Sequence, residues 1–116
     1  MIKIFNPYLK GNEKKYLLDC INRNWISSQG DYVIKFEKAL ARYHNLKYAI
    51  STSSCTTSLH LALKALNIEK NDEVLCPALT FIAPVNMVIL SGAKPVLIDI
   101  DIKTLTIDPN LIEGSI

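Results

Sequence analysis

Apolar residues in the first part of the chain recur at the spacing of an α-helix. Leucine and isoleucine side chains fall on one side of residues 12–23, with lysine and aspartate elsewhere, which predicts an amphipathic helix. A second apolar stripe, at spacings of three and four, predicts another helix that ends at Asn45. We expect Asp31 to be the N-cap of this helix, because its side-chain oxygen suits the first free N–H groups. Residues 25–30 are predicted to form the loop between the two helices.

From residue 48 onward, short apolar runs alternate with longer helical segments. The predicted strands are residues 48–51, 73–76 and 95–98. The predicted helices are residues 56–66 and 81–90. The second of these helices is almost entirely apolar, so we expect it to be buried on most sides and to end at Gly92. Strands separated by helix-length segments favour a parallel sheet with right-handed crossovers, and therefore the α/β fold class.

The last residues of the chain indicate an incomplete fold. Asp108 and Pro109 are a helix N-cap followed by a first-turn proline, yet only a few residues come after them. No fourth strand is predicted, so one edge of the sheet would be left bare. We therefore expect the chain to be the front portion of a larger domain.

Composition and charge narrow the classes of function. Of the 116 residues, 49% are hydrophobic and 21% are charged, which is typical of a globular domain or part of one. The formal net charge is +2 and the lysines are scattered, which disfavours a nucleic-acid partner. No apolar run has the length of a membrane span, and no signal peptide is visible. Cys20, Cys55 and Cys76 lack the spacing of a metal site, so we expect a cytoplasmic protein without a bound metal.

Three loops are placed where ligands bind in parallel sheets, beyond the carboxyl ends of the strands. Residues 53–57 offer hydroxyls and the N–H groups of a helix start, which suit a phosphate. Residues 77–81 end in an aromatic side chain, Phe81, and residues 99–101 carry two aspartates. The alternatives are structural: helix-capping hydroxyls, a core phenylalanine and solvated turn residues. The phosphate-binding fingerprints GxGxxG and GxxxxGK[ST] are both missing.

A series of motifs between Pro7 and Ile112 resembles the N-terminal third of the DegT/StrS family of pyridoxal-phosphate (PLP) dependent sugar aminotransferases. The motifs are WISSQG at 25–30, FE at 36–37, SSCTTSLHLAL at 53–63, DEV at 72–74, PALTF at 77–81, GAKPV at 92–96 and DID at 99–101. The resemblance implies the front part of the large PLP-binding domain of a fold type I aminotransferase, with a mainly parallel sheet flanked by helices and incomplete in this chain. It also divides residues 1–116 into N-terminal helices with a substrate-side loop, 1–46, and the start of the α/β sheet, 47–116.

The resemblance also implies a set of cofactor-binding residues. Members of the family usually have Gly-Thr where this chain has Cys55 and Thr56, and backbone N–H groups there hold the cofactor phosphate. Thr56 is the expected phosphate ligand, with Cys55 contributing its N–H and Ser54 belonging to the same turn. Phe81 occupies the position of the aromatic residue that stacks on the pyridine ring. Asn86 matches an asparagine of the following helix, where it would either order the site or satisfy buried backbone.

On the substrate side, Trp25, Ser27 and Ser28 match a segment near the sugar-nucleotide site of the family. The pattern Trp-Ile-Ser-Ser-x-Gly is most similar to the perosamine-synthase branch, which aminates C4 of a nucleotide-linked 4-keto-6-deoxyhexose. The implied function is therefore amino transfer to such a sugar, with glutamate as the expected donor, in the biosynthesis of amino sugars or cell-surface polysaccharide. Members of the family are usually homodimers.

The resemblance places the Schiff-base lysine and the aspartate that binds the pyridine nitrogen beyond residue 116. None of Lys64, Lys70 and Lys94 matches the catalytic position, so no catalytic residue is assigned and the chain alone is expected to be inactive. Other interpretations stay open. One is a PLP- or PMP-dependent sugar dehydratase of the same family, in which histidine replaces the lysine. Another is a truncated, non-catalytic remnant or a module that folds only with a partner. An unrelated nucleotide-binding α/β domain would need a phosphate loop that is missing.

Overall fold

The computed structural model describes residue 2 and residues 5–116, which form two compact units, Met1–Ser51 and Thr52–Ile116. Residues 1, 3 and 4, which bear on the expected absence of a signal peptide, lie outside the described residues. No helix in the described part of the chain is long and apolar enough to cross a membrane.

The first unit contains the two predicted helices, α1 (Glu13–Asn22) and α2 (Asp31–Tyr43). The predicted N-cap of α2 is wrong. Gly30 occupies the N-cap position with an extended backbone, and Asp31 is the first helical residue. The Asp31 carboxylate accepts a hydrogen bond from Arg23 Nη2 at 2.8 Å, so it is engaged with another side chain and does not cap the helix.

The strand predicted at residues 48–51 is also wrong. These residues belong to no regular element, and within the described part of the chain no strand pairs with them. Instead, the backbone N–H and the hydroxyl of Ser51 both donate to Glu37 Oε1, each at 2.9 Å. A strand forms only where its backbone groups find a ladder partner. For Ser51, a carboxylate of α2 replaces that partner.

The second unit has the predicted α/β character. Its elements are α3 (Cys55–Ala65), β1 (Glu73–Pro77), α4 (Ile82–Ser91) and β2 (Lys94–Ile98). The two strands are parallel, with Glu73 opposite Lys94 at one end and Pro77 opposite Ile98 at the other. Because α4 connects two parallel neighbours, the segment is a β-α-β unit, and the predicted parallel sheet is confirmed with two strands.

The predicted helix start near the end of the chain is confirmed, although the helix is of the 3-10 type. Asp108 Oδ1 accepts the backbone N–H of Asn110 at 2.9 Å and so caps the short helix Pro109–Leu111. A second 3-10 helix follows at Glu113–Ser115.

The core of the second unit lies between the sheet and its two helices. Cys76, Val88 and Ala93 are buried there, with Leu63, Ile68, Val74 and Val85 packed around them. Burial raises the pKa of the Cys76 thiol, which therefore stays protonated at neutral pH.

The expected burial of the 81–90 helix on most sides is wrong. Ile82, Ile89 and Leu90 of α4 are each more than half exposed, because only one face of this helix packs against the sheet and α3.

Contacts at both ends of this unit fix the direction of its helices. Lys64 Nζ donates to the carbonyl of Ser91 at 3.2 Å, which joins the C-terminal ends of α3 and α4. The Ala78 N–H donates to the carbonyl of Ile98 at 2.8 Å, which joins the carboxyl ends of β1 and β2. Since α3 and α4 also pack against each other, we infer that both helices begin at the edge where the strands end.

The four α-helices in the described part of the chain all end in the Schellman pattern of hydrogen bonds. After α3, for example, the Asn67 N–H donates to the Lys64 carbonyl and the Ile68 N–H donates to the Leu63 carbonyl, each at 3.0 Å. The pattern needs one left-handed residue, a role that glycine and asparagine fill most easily. These residues are Asn24, Asn45, Asn67 and Gly92. The sequence-predicted helix ends at Asn45 and Gly92 are confirmed.

The contact between Glu37 and Ser51 predicts a pH-dependent stability of the first unit. The backbone N–H of Ser51, and then its hydroxyl, lower the pKa of Glu37 below its ordinary value of 4.5, because both donate to the ionised carboxylate. Because the pKa is lowered, the ionised Glu37 carboxylate stabilises the folded state above pH 4.5. This stabilisation is lost as the pH falls through the folded-state pKa of Glu37. We expect Glu37→Gln to have a lower urea midpoint than wild type at pH 7. Below pH 4.5 the difference between the two midpoints should become smaller.

The urea midpoint of the first unit can be followed by the fluorescence of Trp25, the single tryptophan of the chain. Glu13→Gln is the control, because Glu13 is the other glutamate of the first unit and its carboxylate makes no hydrogen bond within the described residues. A gap between Glu37→Gln and wild type that stays constant from pH 7 to pH 3 would contradict the prediction.

Candidate cofactor site

The turn before α3 is closed by a reciprocal pair of hydrogen bonds. Ser54, in an extended conformation at the N-cap, accepts the Thr57 N–H on its hydroxyl at 3.2 Å. The Thr57 hydroxyl in turn accepts the Ser54 N–H at 3.2 Å. This is a capping box in which threonine replaces the usual glutamate or glutamine at the third helical position. It makes the helix begin at Cys55 and satisfies the third N–H of the first turn.

The first two N–H groups of α3, those of Cys55 and Thr56, remain unpaired. Within the described residues neither has a hydrogen-bond acceptor, and the Thr56 hydroxyl has none either. The positive end of the helix dipole lies at the same place. Two parallel donors at a helix start are the usual geometry for binding a phosphate group. The sequence-predicted residues Ser54, Cys55 and Thr56 thus lie together in one turn with donors to offer.

Further hydroxyls hold the shape of this turn. The Thr52 hydroxyl donates to the Ser54 carbonyl at 2.9 Å and also pairs with the Ser58 hydroxyl. The Ser58 hydroxyl donates to the same carbonyl at 3.2 Å. The functional interpretation of the sequence missed Thr52 and Ser58. The available signal was the spacing of four residues from Ser54 to Ser58, at which a hydroxyl in a helix can reach back to a carbonyl.

Phe81 lies at the surface of the second unit rather than in its core. It is the N-cap residue of α4, and 89% of its surface is exposed. Its ring borders a shallow cavity of about 220 Å³ that Pro77, Thr80 and Val85 also line. A large aromatic side chain so exposed can stack on a flat ligand. Thr56 does not line this cavity, but both residues lie at the end of the unit where α3 and α4 begin.

Asn86 lies in the fifth position of α4 with its side chain exposed. Within the described residues the side-chain amide makes no hydrogen bond, so the structure does not show it satisfying buried backbone. Because residues four apart share a helix face, Asn86 is on the same face as Ile82 in the first turn. Its expected part in ordering the site stays a prediction.

The aspartates of residues 99–101 have local structural contacts. Asp99 Oδ1 accepts the Ile100 N–H at 2.8 Å, and Asp101 Oδ1 accepts the Lys103 N–H at 2.7 Å. An antiparallel bridge between Ile100 and Ile107 closes this loop. No group of three or more metal-binding side chains is found in the described part of the chain.

In the first unit, the expected substrate-side loop borders a small cavity. Trp25 and Ser27 line this cavity, whose volume is about 190 Å³, together with Asp19, Arg23 and Gly30 among others. The Ser27 hydroxyl accepts the Gln29 N–H at 3.2 Å and so shapes the loop. Ser28 is exposed and does not line the cavity. The structure therefore brings two of the three predicted substrate residues to one place.

Solved structures define the class of protein to which this fold belongs. An aminotransferase from Psychrobacter cryohalolentis superposes with a TM-score of 0.86 at 31% identity, over 97% of this chain and 29% of that one. An E. coli GDP-4-keto-6-deoxy-D-mannose-3-dehydratase with bound hydrated PLP gives a TM-score of 0.85 at 26% identity, over 96% of this chain and 30% of that one. The described fold is that of the front part of a fold type I PLP enzyme.

The chain belongs to the DegT/DnrJ/EryC1/StrS aminotransferase family, whose sequence profile matches residues 7–116. This confirms the resemblance drawn from the motifs. Among curated relatives, the GDP-perosamine synthase of Caulobacter vibrioides is 46% identical over 115 residues, which are 99% of this chain and 31% of that protein. The chain thus spans about a third of the length of that relative.

The capping box predicts the stability of the turn. Ser54→Ala removes the acceptor of the Thr57 N–H and should lower the free energy of unfolding by about 1 kcal/mol, whereas Ser54→Gly should cost only a few tenths. The measurement is urea denaturation followed by far-UV circular dichroism. Ser53→Ala is the matched control, since the Ser53 hydroxyl contacts only the Thr57 hydroxyl, at 3.3 Å. Equal losses at positions 53 and 54 would show that the capping box does not stabilise the turn.

Proposed function

We propose that the chain is the N-terminal part of a PLP-dependent aminotransferase that transfers an amino group from glutamate to a nucleotide-linked 4-keto-6-deoxy sugar. The observation that carries this proposal is the pair of unpaired N–H groups on Cys55 and Thr56, at the position where the family holds the cofactor phosphate. The 46% identity to a GDP-perosamine synthase supports the sugar substrate.

The residues of the turn fit the phosphate of PLP. A phosphate needs several donors and a positive field, and the start of α3 provides both. Cysteine in place of the family's usual glycine adds a Cβ but keeps the backbone N–H. Cys55 is exposed, so its side chain is not forced into the core by this change. The Thr56 hydroxyl adds a third donor beside the two backbone groups.

Phe81 and Asn86 would act on the cofactor ring. An exposed phenyl ring at the start of α4 can hold the flat pyridine by stacking, which fixes its tilt. Asn86, further along α4, would order the same region. When bound, PLP supplies an electron sink for bonds at the amino carbon. The residues of this chain bind and orient the cofactor, and the lysine and aspartate that complete the chemistry are expected beyond residue 116.

In this proposal, residues 1–46 contribute to the substrate site, and Trp25, Ser27 and Ser28 lie near the nucleotide sugar. Residues 47–116 begin the cofactor-binding sheet. The complete protein would be a cytoplasmic homodimer in the biosynthesis of amino sugars or surface polysaccharide. The three free cysteines agree with a reducing compartment.

A second candidate reaction is removal of a sugar hydroxyl by the dehydratase branch of the family. The TM-score of 0.85 to a GDP-4-keto-6-deoxy-D-mannose-3-dehydratase supports this second candidate. Both reactions would use the same phosphate cradle, so residues 53–57 do not separate them. The products do, since amino transfer replaces the carbonyl oxygen by nitrogen, whereas the dehydratase removes a hydroxyl and adds no nitrogen.

The test is an isotope experiment on the protein expressed from its complete reading frame. With PLP, a nucleotide-linked 4-keto-6-deoxyhexose and ¹⁵N-glutamate, we expect equal amounts of 2-oxoglutarate and of a ¹⁵N-labelled amino sugar, measured by mass spectrometry. Residues 1–116 alone should produce neither. A product that has lost a hydroxyl and carries no ¹⁵N would show the dehydratase instead, and amino transfer by residues 1–116 alone would contradict the assigned role of the chain.

A further inference from the structure

One side chain of the first unit, Arg23, contacts both ends of the loop at residues 24–30. It is the C-cap residue of α1, so it lies directly before the loop. Its Nη1 contacts Asp19 Oδ2 at 3.4 Å, within α1, and its Nη2 contacts Asp31 Oδ2 at 2.8 Å, at the first residue of α2. A single guanidinium therefore ties the end of one helix to the start of the next.

The same guanidinium covers the ring of Trp25. The distance from Arg23 Cζ to the ring centroid is 5.4 Å, within the range of a cation–π contact. Gly30 lies beside the ring, and a Cβ added there would be 3.5 Å from Trp25 Cδ1 and Nε1, an ordinary contact distance. The indole is thus covered by the Arg23 side chain and lies next to the backbone at the end of the loop.

Two further hydrogen bonds hold this arrangement in place. The Tyr32 hydroxyl donates to Asp19 Oδ2 at 3.0 Å, which fixes the carboxylate that Arg23 contacts. The backbone N–H of Trp25 donates to the Cys20 carbonyl at 2.8 Å and completes the Schellman pattern at the end of α1. The hydrogen bond from Arg23 to Asp31, and then that to Asp19, raise the pKa of the guanidinium, which remains charged.

The strength of these contacts argues for a role in geometry rather than in stability. The side chains of both ion pairs are about 40% exposed, and pairs so exposed contribute little to the free energy of folding. Arginine nevertheless has a planar fork with several donors, so it can satisfy two carboxylates and stack on a ring at once. Lysine offers a point charge without a plane and cannot do all three.

We propose that Arg23 is a positioning residue for the sugar-nucleotide substrate, because its guanidinium covers Trp25 and joins the two ends of the loop that carries Ser27, at the cavity of the first unit. The proposal rests on the proposed function for the identity of the substrate. The contacts of Arg23 with Asp19, Asp31 and Trp25 are independent of it.

Removal of the guanidinium leaves two carboxylates facing each other without a counter-charge and leaves one face of Trp25 uncovered. The loop then samples several arrangements, and only a fraction of them can bind substrate. An apparent affinity falls by that fraction, so a loop that is correctly ordered a tenth of the time raises KM about tenfold. The turnover number changes far less, because Arg23 does not touch the reacting atoms.

The first part of the test uses residues 1–116 and needs no activity. Trp25 is the single tryptophan, so its emission maximum and its quenching by acrylamide report on the loop alone. We expect Arg23→Gln to increase the quenching and to shift the emission to longer wavelength, and Arg23→Lys to give intermediate values. Arg42→Gln is the matched control, because Arg42 makes no ion pair in the described part of the chain. Unchanged emission and quenching in Arg23→Gln would overturn the proposal.

The second part measures kcat and KM of the protein from the complete reading frame. The expected result for Arg23→Gln is a KM for the nucleotide sugar about tenfold higher, with a nearly unchanged kcat and an unchanged KM for glutamate. An unchanged KM for the nucleotide sugar, together with altered Trp25 spectra, would overturn the substrate role. If the wild-type protein transfers no amino group, the proposed function is wrong, and the spectra still decide whether Arg23 fixes the loop.

Should Arg23→Gln fail to fold, Arg23→Lys and Asp31→Asn replace it in both parts. Asp31→Asn removes one carboxylate from the guanidinium but leaves Arg23 over Trp25, so it should raise KM less than Arg23→Gln does. An effect of Asp31→Asn on kcat alone would contradict a positioning role.

Discussion

The cofactor site proposed for this chain depends on the unsatisfied first turn of α3. Any helix leaves its first N–H groups without partners in the helix, and these groups must be capped, hydrated or bound to a ligand. Here the capping box of Ser54 and Thr57 satisfies the third group and fixes the residue at which the helix begins. The groups of Cys55 and Thr56 stay available as a consequence. The cap that stabilises the turn is therefore also the reason that it can bind an anion.

The rest of the second unit sets the surroundings of this turn. The parallel pair of strands and the contact between Lys64 and the Ser91 carbonyl indicate that α3 and α4 both begin at the edge where the strands end. Phe81 lies at the same edge and is exposed. A phosphate cradle and an exposed ring at one edge of a parallel sheet suit a flat, phosphorylated cofactor, and the family to which the chain belongs uses PLP.

Local patterns predicted the helices, two of the three parallel strands and the helix start after Ser54, because each depends on residues close in sequence. The stops at Asn45 and Gly92 follow from the residues that tolerate a left-handed backbone. The strand at 48–51 failed because a strand needs a partner, and Glu37 of α2 binds Ser51 instead. The N-cap assigned to Asp31 failed for a similar reason, since its carboxylate is bound to Arg23. In both of these failures, a side chain on another element decided the local structure.

The contacts of Arg23 show that sequence patterns have the same limit when they are used to predict functional residues. Motifs pointed to Trp25 and Ser27 because they match the family pattern. The spacing of four from Asp19 to Arg23 hinted at one ion pair, but not at the second pair with Asp31 or the stacking on Trp25. A residue that acts by holding others carries no motif of its own. It becomes visible only when distances across the loop are known.

The central claim, that the N–H groups at the start of α3 bind the cofactor phosphate, is tested most directly by PLP binding to Cys55→Pro and Cys55→Ala in the protein from the complete reading frame. Proline is tolerated at the first helical position and suits the extended Ser54 before it, so it removes one N–H without disturbing the helix. A hydrogen bond to a charged group contributes about 1.5–3 kcal/mol, which corresponds to a loss of roughly tenfold to a hundredfold in affinity. We expect this loss in Cys55→Pro and wild-type affinity in Cys55→Ala. Equal affinities of the two variants for PLP would contradict it.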